Sequence, residues 1–331
     1  MKENSTFIIA ELSANHNNDL DLAIKTVRAA AESGADAIKV QTYTADSLAL
    51  DVDNEYFGPK KEGLWKGIRP YDLYKEAALP YEWHKPIQKA AEENGLIFFS
   101  SPFDLEGVDF LETLQVPLYK IASFEITDIP LIRYVASKGK PVIISTGVAS
   151  IEDIDLALEA CRKEGNEDIT LLKCTSQYPA KIADANMATI PDMRDRFNVK
   201  IGLSDHTMGD IVPVTAVALG AAVIEKHFIL DRSIGGADSS FSMEPAEFKE
   251  MVERVRLVEE AIGKVKYDID EKDIYKRRSL FATRDINEGE MITKENVRSL
   301  RPGVGLHPVF FEEIIGKPSK WKHSKGDPFR F

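Results

Sequence analysis

From residue 7 to about 262 one pattern recurs eight times: a short β-branched, apolar run ends in polar residues, and an amphipathic helical stretch follows. The runs are FIIAEL (7–12), AIKVQTY (37–43), LIFFSSP (96–102), LYKIASF (118–124), PVIISTG (141–147), ITLLKCT (169–175), KIGLSDH (200–206) and AVIEKHF (222–228). Between them, DLDLAIKTVRAAAESG carries apolar residues at helical spacing and stops at glycine. SIEDIDLALEACRKEG opens on Ser150 with Asp153 three residues on, a loose capping box. Strands alternating with helices predict a parallel sheet, and eight such units predict a closed (β/α)8 TIM barrel. The open doubly wound sheet is the competing architecture. It carries a glycine-rich turn after its first strand when it binds a dinucleotide, and here that position reads SANHNND.

The pattern ends near residue 265. GKVKYDIDEKDI reads as a charged linker, over 266–275, and residues 276–331 hold short strand-like pieces, tight turns and an RPG element. The expected organisation is a barrel over 1–265, the linker, and a small C-terminal β-rich domain. A long insertion, residues 44–80, follows the second strand and is expected to fold over the barrel mouth as a lid or specificity loop.

The formal net charge of −12 argues against a nucleic-acid surface. It also requires that cations be concentrated locally if the substrate is an anion. The N-terminal apolar run is too short for a signal peptide, and no stretch approaches the roughly 20 apolar residues of a membrane span. The expected compartment is therefore the cytoplasm, with no membrane partner. Cys161 and Cys174 read as buried thiols rather than a disulfide framework.

Chemistry in such barrels sits at the C-terminal strand ends. Those ends carry Glu11, Lys39, Gln41, Ser101, Lys120, Ser123, Glu125, Ser145, Thr146, Thr175, Ser176, Tyr178, Ser204, Asp205, His206 and His227. His206 and His227 end neighbouring strands, where two imidazoles can share one divalent ion with coordination positions left open for a Lewis acid's substrate. Two hydrogen-bonding histidines without metal are the alternative. Lys39 and Lys120 interrupt apolar strands, which is costly unless each charge meets an anion. With Ser101, Ser123, Ser145 and Ser204 they form a ring suited to a phosphate and a carboxylate together. Lysines snorkelling past the strand ends are the alternative. Glu11 and Glu125 are candidate acid and base, with a salt bridge to one of the lysines as the competing role. Asp238, in GGADSSFSM, is a candidate for sugar hydroxyls.

At these residues the chain resembles the sialic acid synthases. The matching segments are IIAELSANHN, ADAIKVQTY, FFSSPF, YKIASFE, IISTG, KCTSQYP, IGLSDHT, EKHF and RPG, in the family's order over nearly the whole chain. SANH, YDLYKEA, LPYEWH, KIASFE and GLHP are similar to the pseudaminic acid synthase branch. The tail resembles the antifreeze-like (SAF) domain. The resemblance implies a divalent metal on His206 and His227, usually manganese, with magnesium or cobalt as alternatives. It implies phosphoenolpyruvate on Lys39, Ser101, Lys120, Ser123, Ser145 and Ser204, and an acetamido deoxy sugar facing Glu11, Gln41, Ser176, Tyr178 and Asp238. It also implies a domain-swapped homodimer in which Arg301 enters the partner's barrel. Ser101 stands where the neuraminate enzymes usually have threonine, and Ser176 where an asparagine touches the sugar; the second difference weakens the case for an N-acetylmannosamine-type substrate. The alternatives are N-acetylneuraminate or legionaminate synthases, octulosonate- or heptulosonate-phosphate synthases acting on phosphosugars, and a non-catalytic carbohydrate-binding barrel.

Overall fold

The computed structural model describes residues 5–330 and divides them into two compact units that part after Gly263. In the first unit eight parallel strands close into a barrel in sequence order. They are β1 (Phe7–Glu11), β2 (Ala37–Thr42), β3 (Ile97–Pro102), β4 (Tyr119–Ile121), β5 (Val142–Ser145), β6 (Ile169–Cys174), β7 (Lys200–Asp205) and β8 (Val223–His227). β8 pairs with β1 in register Glu11↔His227, which completes the closure. Every strand expected from the sequence is present. The last polar residues of several predicted runs lie beyond the ladder, in loops or, for Ser123–Glu125, in a 3-10 turn.

The helices are α1 (Leu20–Glu32), α2 (Ala45–Leu48), α3 (Pro70–Ala77), α4 (Tyr81–Glu93), α5 (Leu105–Thr113), α6 (Ile129–Ala136), α7 (Ile151–Lys163), α8 (Thr189–Phe197), α9 (Ile211–Ala218) and α10 (Pro245–Ile262). Asp19 caps α1 through the Leu22 amide. α7 opens on the Ser150–Asp153 capping box, with both reciprocal hydrogen bonds made. Among the described residues no helix is long and apolar enough to cross a membrane.

Side chains alternate across each strand, so every strand feeds two cores. Outward residues such as Ile8, Ala10, Ile38, Val40, Ile144 and Leu203 pack beneath the helices. Inward residues form a separate plug of Ile9, Ala37, Phe99, Ile143, Leu172 and Val223, with Phe7, Ile97 and Leu118 against it. Gly202 takes its place in this plug because a Cβ there would lie 2.6 Å from both Leu172 Cδ2 and Val223 O. The plug closes one end of the barrel interior, and the polar strand ends lie above it.

Alternation also corrects one expectation. Asp205 does not join the mouth with Ser204 and His206; it points the other way and accepts hydrogen bonds from the Thr207 amide and hydroxyl. It is ion-paired with Lys226 of β8, which is 1% exposed and also donates to Thr207 O. Thr146 likewise turns to the backbone, donating to Leu172 O.

In the second unit β9 (Ser279–Ala282) and β10 (Val297–Leu300) pair antiparallel, and isolated bridges at Phe281–Pro328, Ile286–His323 and Met291–Pro318 extend the β character. Leu280, Ala282, Ile286, Ile292, Val297, Leu306 and Phe329 form its own small core.

Removing one member of a buried ion pair leaves the other charge without a partner, at a cost of about 3–5 kcal/mol. Asp205→Ala is therefore expected to destabilise the chain by that amount in urea unfolding. A loss below about 1 kcal/mol, the range of exposed pairs, would contradict the buried pairing.

Candidate active site

A cavity of about 400 Å³ opens at the C-terminal strand ends. Its walls include Glu11, Lys39, Gln41, Lys120, Ser123, Glu125, Ser145, Tyr178, Ser204, His206, His227 and Asp238. The structure thus brings together most of the residues expected from the sequence. Ser101 lies just behind the wall, fully buried and accepting from Lys39 Nζ at 3.4 Å. Ser176 is 3.7 Å from Cys174 Sγ. Arg301 belongs to the second unit, where it is exposed.

Both lysines are sealed in protein and neither snorkels. Lys39 Nζ is 2.7 Å from Glu11 Oε2 and 3.8 Å from Glu225 Oε2. Lys120 Nζ is 3.4 Å from Glu225 Oε1, which also accepts from Ser204 Oγ at 3.0 Å. The salt bridge held open as a competing role for Glu11 is therefore present. Burial works against the Lys39 charge, but Glu11 and Glu225 outweigh it and hold Lys39 above the ordinary lysine range. For Lys120 burial wins over Glu225 and the group is held lower. Burial also opposes the Glu225 charge; Lys120 and Lys39 overcome it and keep this carboxyl low. Glu11 is pushed up to about 7 by burial, which Lys39 offsets in part.

Glu225 is the chief residue that the sequence reading missed. It lies two residues before His227 on β8, so it must share that residue's inward face. Cys174 was expected to be a buried thiol and is one, yet it also lines the cavity. Its Sγ is 3.9 Å from His206 Nδ1. Burial alone would raise this thiol, but the contact and charge of His206 bring it down to about 7. Gly147 is needed where it stands, since a Cβ would meet Ser176 Oγ at 2.1 Å and Ser123 Oγ at 2.8 Å. Its amide donates to Ser123 Oγ.

The two histidine rings are 5.2 Å apart between centroids. His206 Nδ1 is 3.0 Å from Thr175 O, a contact that orients the ring and leaves Nε2 for another partner. His227 Nδ1 is buried with no hydrogen-bond partner, and lies 3.8 Å from Asp238 Oδ2. Burial, then the neighbouring His206, hold His227 well below the usual imidazole range. A buried imidazole nitrogen without a partner, on a ring next to a second imidazole, fits a divalent ion. Asp238 and Cys174 lie near the pair, but among the described residues no group of three or more His, Cys, Asp or Glu is arranged to hold a metal ion.

The β1 loop frames this site. Asn15 Nδ2 donates to Phe228 O and to Ser242 Oγ, tying the loop to the segment after β8. Ser13 Oγ donates to Asp238 Oδ2 and fixes that carboxylate. His16 Nε2 contacts Ala77 O at the end of α3, which anchors the 44–80 insertion. Leu48, Lys60, Trp65, Leu73 and Tyr74 of that insertion line the cavity.

A closed parallel barrel thus carries lysines, serines and a histidine pair at one mouth. The chain belongs to the NeuB family, which it matches over residues 26–267, and residues 277–331 match the SAF domain. It is 49% identical to a pseudaminic acid synthase of Campylobacter jejuni, covering 99% of this chain and 96% of that one. It is 46% identical to a pseudaminic acid synthase of Helicobacter pylori, with 95% and 94% covered. A crystal structure of N-acetylneuraminic acid (sialic acid) synthetase from Leptospira borgpetersenii, in complex with citrate, is similar with TM-score 0.72 and 33% identity, covering 82% and 89%.

Glu125 Oε2 is buried without a partner, and burial pushes this carboxyl up to about 7 from 4.5. A folded-state value above the unfolded one means that stability from the neutral acid is complete below about pH 4.5 and is lost as pH rises through about 7. Glu125→Gln imitates the neutral acid. Its stability relative to the parent is expected to improve between about pH 5 and pH 8 in urea unfolding. A difference that stays constant over this range would contradict the raised value.

Proposed function

We propose that this chain condenses phosphoenolpyruvate with 2,4-diacetamido-2,4,6-trideoxy-β-L-altropyranose and water, giving pseudaminic acid and phosphate. The observation that carries the reading is the pairing of two buried lysines with a histidine pair in one barrel mouth, in a chain nearly half identical to pseudaminic acid synthases over its full length. Lys39 and Lys120, with Ser101, Ser123, Ser145 and Ser204, hold the phosphate and carboxylate. Ser145 Oγ, buried without a partner, is one donor reserved for them. Gln41, Ser176, Tyr178 and Asp238 face the open-chain sugar, and Glu11 borders it beside Lys39.

His206 and His227 hold a divalent metal, manganese in our reading, and when bound it supplies Lewis-acid polarisation of a substrate carbonyl. Carbon 3 of phosphoenolpyruvate forms a bond to the sugar's aldehyde carbon, and the aldehyde oxygen takes up a proton. Water adds to carbon 2 and gives up one proton; the new hydroxyl gives up its second proton, which leaves with the phosphate, as phosphate departs with the bridging oxygen and the 2-keto acid remains. Glu11 and Glu125, both lifted to about 7, are poised to give or take these protons near neutrality. The fixed lysine charges stabilise the departing phosphate without reorganising. Arg301 completes the carboxylate clamp by entering the partner's barrel in a domain-swapped homodimer.

The test is phosphate release from phosphoenolpyruvate with manganese and a panel of sugars. The panel holds the altrose sugar, its mannose-configured counterpart, N-acetylmannosamine and arabinose 5-phosphate. Release with the altrose sugar, abolished by chelator, is expected. Release only with another acetamido sugar would correct the substrate, and a folded, metal-loaded protein that releases none would overturn the reading. His206→Ala is expected to lose bound manganese and to drop turnover by roughly 10²–10³-fold, comparable to losing one transition-state stabiliser. Undiminished turnover without metal would contradict the histidine assignment.

A further inference from the structure

The 44–80 insertion carries a polar group that the proposed chemistry leaves unused. Trp65 lines the cavity, and its indole Nε1 is shielded from solvent with no acceptor. A buried donor without a partner costs about 1–3 kcal/mol, and a tryptophan N–H that is buried usually finds an acceptor. The loop that carries the indole is also held in place. Lys60 N donates to Ile68 O and Gly67 N to Lys60 O, closing residues 60–68 into a loop, and Ile68 N donates to Trp65 O within it. Arg69 anchors the base of the loop through Asp72 and Asp51.

The surroundings define what the acceptor is. The Trp65 ring is 5.8 Å from Tyr178, and Tyr178 is 4.4 Å from His206. Tyr178 is therefore in contact with both the histidine end of the cavity and the indole. A sugar laid along Tyr178 with its reacting carbon at the histidines brings its distal substituents to Trp65. Lys60 Nζ lies 4.8 Å from the Trp65 ring centre, so this corner is disfavoured for a further cation. An N–H donor beside the Tyr178 ring suits a group that combines a carbonyl acceptor with a methyl, which is an acetamide.

We infer that Trp65 is a specificity-determining residue whose indole N–H donates to the carbonyl oxygen of the acetamido group farthest from the reacting carbon. This rests on the function proposed above. Trp65→Phe keeps the ring and removes the donor. The KM for the diacetamido altrose sugar is expected to rise about 5- to 10-fold, the equivalent of one hydrogen bond. The KM for phosphoenolpyruvate is expected to stay unchanged, which also shows that the variant is folded. In addition, the parent's preference for the diacetamido sugar over the same sugar with a free amine in place of the distal acetamide is expected to shrink in Trp65→Phe. Sugar KM unchanged, both KM values rising together, or the preference kept in full would overturn the inference while leaving the function intact. Absence of turnover by the parent chain with the diacetamido sugar would overturn the functional reading and this inference with it.

Discussion

The site depends on keeping two ammonium groups inside a protein barrel. An uncompensated buried charge is among the most costly features a fold can carry. Here Glu225 is shared between Lys39 and Lys120, and Glu11 takes the other side of Lys39. The network keeps two ammonium groups buried in a chain whose net charge is −12. It also fixes each lysine before substrate arrives, so little reorganisation remains for the reaction.

The barrel supplies this arrangement through alternation and register. Cys174, Ser204 and Glu225 are level on β6, β7 and β8, and Glu11 is level with Lys39 on one side and His227 on the other. An apolar plug beneath them closes the interior. The same alternation sends Asp205 and Lys226 outward as a buried pair between β7 and β8. Loops finish the site: Asn15 and Ser13 bind the β1 loop to the segment after β8, and His16 meets the end of α3.

Much of this was legible in the sequence because the period of each element is written in its apolar residues. The eight strands, the α7 capping box and the inward Lys39, Lys120, His206 and His227 all follow from such patterns. Glu225 was legible in principle, since its spacing from His227 dictates a shared face, but the cost of two buried lysines had to be set against available carboxylates to make it visible. Asp205 was assigned to the mouth because strand-end position was weighed without alternation. The closed loop over 60–68 carries no period, so Lys60 and Trp65 could be placed at the cavity only by tertiary structure. The relation of Glu11 to Lys39 is likewise a matter of a few ångströms between strands, which sequence leaves open.

In the proposed reaction water attacks carbon 2 of phosphoenolpyruvate and phosphate leaves with the bridging oxygen. The direct measurement is turnover of phosphoenolpyruvate labelled with ¹⁸O at that bridging position, followed by mass analysis of both products. The account predicts the label in inorganic phosphate and none in the sugar acid. Label retained on carbon 2 of the sugar acid would mean cleavage between phosphorus and oxygen, and would contradict it.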